Sequence, residues 1–130
     1  MAAAHQVAAL AILALTITLL GAAAWSWIAA RRTEGQRDHR FAVDRLALAV
    51  EALVALNVGL GGLLLATGDR PSDALHLLYG VAALGTLPIG WWWGGRPDPS
   101  GAISRGRRDG WLLLAAAILV GVELRLVATG

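Results

Sequence analysis

The sequence predicts an all-α integral membrane protein, a bundle of four transmembrane helices with both termini on the outer side. Three observations carry this. Of the 130 residues 57% are apolar and only 15% are charged, too few polar side chains to clothe a soluble core of this size. The charges gather between long uncharged stretches. All 11 basic residues are Arg, and nine of them fall in or beside two of the connections.

A membrane helix needs about 20 mainly apolar residues. The first such stretch covers about residues 6–30, carries no charge, and ends in Trp25 and Trp27 followed by Arg31 and Arg32. Its positive charge follows the apolar run, whereas in a cleaved signal peptide it would come first. The second span covers about 46–67, with its helix starting near Asp38, and Gly68 is its expected C-cap. Asp69 to Ser72 makes a tight turn into the third span, about 73–93, which ends in Trp91, Trp92 and Trp93. Gly, Pro, Ser and Arg mark 94–110 as a loop. Asp109 is the expected cap of the fourth span, about 111–129. The whole chain, 1–130, then reads as one transmembrane domain, with nothing over for a soluble one.

Arginine placement sets the direction. Arg31, Arg32, Arg37, Arg40 and Arg45 lie in or beside the first connection, 31–45, and Arg96, Arg105, Arg107 and Arg108 in the third, 94–110. Only Arg70 and Arg125 fall on the other side. The positive-inside rule puts both Arg-rich loops in the cytoplasm and both termini outside. The absence of Lys suits a GC-rich bacterial genome, so a bacterial inner membrane is the expected location. Topology explains the basic residues better than a nucleic-acid surface does, and no nucleic-acid partner is expected.

Small residues mark helix interfaces in lipid. The second span carries Glu51, Ala55, Gly59 and Gly62 on one face, the third Asp73, His76, Gly80 and Ala83, and the fourth Ala117 and Gly121. These faces are expected to turn inward or toward a partner. Pro88 frees a backbone carbonyl one turn earlier, which favours a bend in the third helix.

Cysteine is absent and Met1 is the only methionine, which excludes disulfides and thiolate or soft-metal centres. No nucleophile motif, zinc-spaced histidine pair or phosphate-binding glycine loop stands out, so neither a catalytic residue nor a metal site is expected. The ionisable residues inside the spans are the functional candidates. Glu51 sits roughly 8–10 Å in from the cytoplasmic edge by helical rise, and Arg45 or Arg40 is its natural counter-ion. Glu123 lies in the outer half of the fourth span. On the same side the topology places His5, Asp73, His76 and Tyr79.

Two chemistries fit that cluster. His5 and His76 are matched in depth as axial ligands of a haem b, with Gly80 giving room. Alternatively, His76 and Glu123, with Tyr79 nearby, make a proton or quinone-headgroup site. Length and helix count are similar to those of small multidrug transporters and fluoride channels, but the first span has no glutamate and the Arg bias opposes dual topology. The expected role is an accessory or anchor subunit of a larger membrane complex, such as an electron-transfer assembly, with other membrane subunits or a second copy as partners. The alternative is a homodimeric proton- or ion-coupled transporter or channel using Glu51 or Glu123, with Asp73 as a further candidate.

Overall fold

Alanine and leucine dominate the uncharged stretches, and both are strong helix formers. The computed structural model describes residues 2–32, 40–68, 75–97, 99–101 and 105–129. Within them the chain forms four α-helices and no strand: α1 (Ala2–Arg32), α2 (Arg40–Ala66), α3 (Leu75–Gly94) and α4 (Arg105–Thr129). Three are long and apolar enough to cross a membrane, over His5–Arg32, Ala42–Ala66 and Gly106–Ala128, the make-up of a multi-pass membrane protein. The predicted third span is not among them. Its 20 residues hold three tryptophans, four glycines, His76 and Pro88, which dilute its apolarity.

Helix ends follow local chemistry. Gly68 adopts a positive φ of 96°, and its N–H donates to the carbonyl of Leu65. This is the left-handed residue that closes α2. Asp109 does not cap α4, contrary to expectation. That helix starts one turn earlier, and Asp109 is buried within it. α3 runs unbroken through Pro88.

The helices form a ring in which α1 packs on α2 and α4, and α3 packs on the same two. The α3–α4 and α1–α4 seams are the most extensive, and α2–α3 is the least. Contacts fix an up-down-up-down arrangement. At one end His5 of α1 meets Gly61 of α2 and His76 of α3. At the other, Trp27 of α1 meets Gly110 of α4, and Gly94 of α3 meets Arg108 of α4. We call these the histidine end and the arginine end.

Leu19, Val50, Leu87 and Leu119, one from each helix, are fully buried and form the apolar middle of the bundle. Toward the arginine end the interior narrows to small residues. A Cβ on Gly90 would lie 2.6 Å from the Cβ of Ala115, and one on Gly94 would lie 3.0 Å from the Arg108 Cα. Only glycine lets α3 approach α4 this closely.

Two of the small-residue faces do not turn into the bundle. α2 turns Val43, Ala47, Val50 and Val54 inward and leaves Ala55, Gly59 and Gly62 exposed. α4 buries Ala115, Ala116 and Leu119, leaving Ala117 and Gly121 outside. Gly80 and Ala83 of α3 do face the core. Where every face is apolar, composition gives no inside-outside contrast. The exterior stays apolar on all four helices, with Val7, Leu56, Val81 and Ile118 among the exposed side chains.

Candidate functional site

Four elements bring polar groups into the half of the bundle nearer the histidine end. On α1, Thr16 sits fully buried in an otherwise apolar turn. Its Oγ1 lies 2.9 Å from the backbone carbonyl of Ile12 and 3.0 Å from Glu123 Oε1 of α4. The bond to Ile12 is the usual way a helix hides a hydroxyl in apolar surroundings. The bond to Glu123 joins two helices and holds the carboxyl in the interior, where Glu123 is only 4% exposed.

The second carboxyl oxygen, Glu123 Oε2, is buried without a hydrogen-bond partner, and so is Asn57 Oδ1 of α2. Both residues line one cavity of about 20 Å³, together with Ala9, Ile12, Val58 and Ala83. Ile12 and Ala83 are themselves core residues. Among the described residues no cationic side chain lies within ion-pair distance of Glu123.

The histidines lie above this cavity. The ring centroids of His5 and His76 are 6.0 Å apart and tilted by 60°. His5 Cε1 is also 3.5 Å from where a Gly61 Cβ would stand, and His5 Nδ1 is buried without a partner. Tyr79 follows on α3, half-buried. Asp73 falls outside the described residues. The predicted five-residue cluster therefore separates: the histidines meet each other, while Glu123 sits deeper, against Thr16. An iron held between the two imidazoles needs a porphyrin-sized slot around it. The His5 ring is instead packed against Gly61 of α2, and the neighbouring cavity has room for a water. The residues as packed do not fit haem b. Among the described residues no three His, Asp or Glu side chains gather as metal ligands.

Glu51 lies apart, half-buried on α2 toward the arginine end, with Oε2 buried and lacking a hydrogen-bond partner. Closer to that end, Ser26 donates to Asp109 at 3.2 Å and Arg108 donates to Asp44 at 3.0 Å. Arg31 stacks on Trp27 at 3.9 Å, and Arg96 covers Trp92 and Trp93, each at 4.0 Å. Arg107 donates to the Arg96 carbonyl, tying the α3–α4 connection to α4.

Thr16 and Asn57 went unweighed in the sequence, although each is a hydrogen-bonding side chain within a long apolar run, which is a readable signal. Comparison of the chain with protein-family models, curated proteins and solved structures finds no match.

Proposed function

We propose that the chain crosses a bacterial inner membrane four times, with both termini outside, and acts there as an accessory subunit of a larger complex. Its docking face is α2, and the occupant is a transmembrane helix of another polypeptide. All six tryptophans lie at the arginine end, several under guanidinium groups, as expected of a cytoplasmic interface with an aromatic belt. α3 joins the crossing because it carries exposed Leu77, Leu78, Val81 and Ile89, and because an even number of spans keeps both Arg-rich connections on one side.

One observation supports the accessory role above the others. Ala52, Ala55, Gly59, Gly62 and Ala66 are all exposed on α2, and their three- and four-residue steps align them in one stripe. Such a stripe lets a neighbouring helix approach closely in lipid. It lies on the helix with the least extensive seam to α3, and Glu51 stands beside it with an unpartnered oxygen. The same stripe would accept a second copy, which is the arrangement a homodimeric transporter using Glu51 or Glu123 needs. The fully buried Leu19, Val50, Leu87 and Leu119 close any polar route through one copy, so the accessory reading is preferred.

Nothing lies within 4 Å of a Cβ placed at Gly59 or Gly62. Gly59→Leu with Gly62→Leu should therefore fold with undiminished thermal stability and lose its partner. The wild type should co-purify with stoichiometric membrane polypeptides, crosslinking to them from Ala55→Cys and not from Ile118→Cys. A stable homodimer with no other chain, or retention of the partner by the double variant, would overturn the reading.

A further inference from the structure

The hydrogen-bond geometry around Glu123 contains a proton count. The Thr16 hydroxyl has one proton, yet Oγ1 lies within bonding distance of two oxygens, 2.9 Å from the Ile12 carbonyl and 3.0 Å from Glu123 Oε1. A backbone carbonyl can only accept. If the hydroxyl donates to Ile12, a proton on Glu123 Oε1 completes the second bond by donating to Thr16. That leaves Oε2 as the carbonyl oxygen of a neutral acid, an acceptor, and it is one of the buried atoms with no partner.

The other unpartnered oxygen facing the same cavity, Asn57 Oδ1, is also an acceptor. Two acceptors cannot satisfy each other, but a water has two protons to give. The cavity of about 20 Å³ exceeds the roughly 10–15 Å³ that one water needs. Apart from the groups at the arginine end, the titratable side chains on the helices around Glu123 are His5 on α1, Glu51 on α2, and His76 and Tyr79 on α3. None is within hydrogen-bonding distance of it among the described residues.

We propose that Glu123 is a proton-carrying site: a neutral carboxylic acid that donates to Thr16 and is linked to the Asn57 amide oxygen by a single buried water. The Thr16 hydroxyl, both Glu123 oxygens and the Asn57 amide oxygen are then paired, with no charge in the apolar interior. The site depends on the packing of this chain alone, so it stands or falls separately from docking at α2.

Infrared spectroscopy of the full chain in lipid nanodiscs at neutral pH tests it. The expected spectrum has a protonated-carboxyl C=O band that is lost in Glu123→Gln and kept in Glu51→Gln. The band should move to higher frequency in Asn57→Leu, because the water bond to the carbonyl oxygen goes. Asn57→Leu keeps the acid and nearly conserves volume, so it decides the matter even if Glu123→Gln does not fold. An ionised carboxylate at Glu123, a band unmoved by Asn57→Leu, or a band that changes when sodium replaces choline, pointing to a bound cation, would each overturn the proposal.

Discussion

Replacing Gly90 by Ala adds one methyl group to α3, and the structure places it 2.6 Å from the Ala115 Cβ and 3.2 Å from the Trp111 carbonyl oxygen. Carbon atoms in contact prefer about 3.5–4.0 Å, so α3 and α4 must part by about 1 Å. Such a gap forfeits a quarter to a half of the dispersion energy of the atoms it separates. Overpacking of this kind costs about 1–3 kcal/mol, against a gain of about 1 kcal/mol from replacing a helical glycine by alanine. Gly80→Ala on the same helix is the matched control. Its Cβ would meet Val58 Cγ2 at 3.8 Å, an ordinary contact, so only the gain applies. Gly90→Ala should therefore be less stable than Gly80→Ala by about 1–3 kcal/mol, read as reversible unfolding in one detergent. Equal stability of the two variants would refute the close α3–α4 approach.

Leu119→Ala removes a fully buried side chain from the middle of the bundle and should cost about 2–5 kcal/mol, measured by the same unfolding assay; a change below about 1 kcal/mol would mean that the middle is not packed as described. Ser26→Ala strips the donor from Asp109, which is 8% exposed and bonded at 3.2 Å. Leaving that carboxyl buried without its partner should cost about 1–3 kcal/mol, and Asp109→Asn with Ser26 intact, which retains an acceptor for the hydroxyl, should cost less.

Helix number and approximate limits were legible because long uncharged runs punctuated by Arg, Gly and Pro have few alternative readings. Gly68 was readable as a helix end because a left-handed residue there strongly favours glycine. Which face turns inward was not legible. In a soluble helix polarity separates core from surface, whereas here Gly59 and Gly62 point out and Gly90 and Gly94 point in. What separates them is how closely α4 approaches α3, a property of the pair. The meeting of His5 with His76 follows from topology, since the starts of α1 and α3 share an end. The partner of Glu123 was missed because Thr16 lies 107 residues away and its hydroxyl reads as a self-bonded helix residue. Likewise Asn57 gained meaning only when the cavity joined it to Glu123.

Four crossings, rather than the three that apolarity alone supports, decide whether the termini share a side of the membrane. The chain has no cysteine, so each introduced thiol is the sole target of a membrane-impermeant maleimide. In intact spheroplasts, Ala3→Cys and Ala128→Cys should both label, while Ser100→Cys should label only after permeabilisation. Labelling of Ala3→Cys and Ala128→Cys from opposite sides would contradict the four-crossing arrangement and return α3 to a peripheral position.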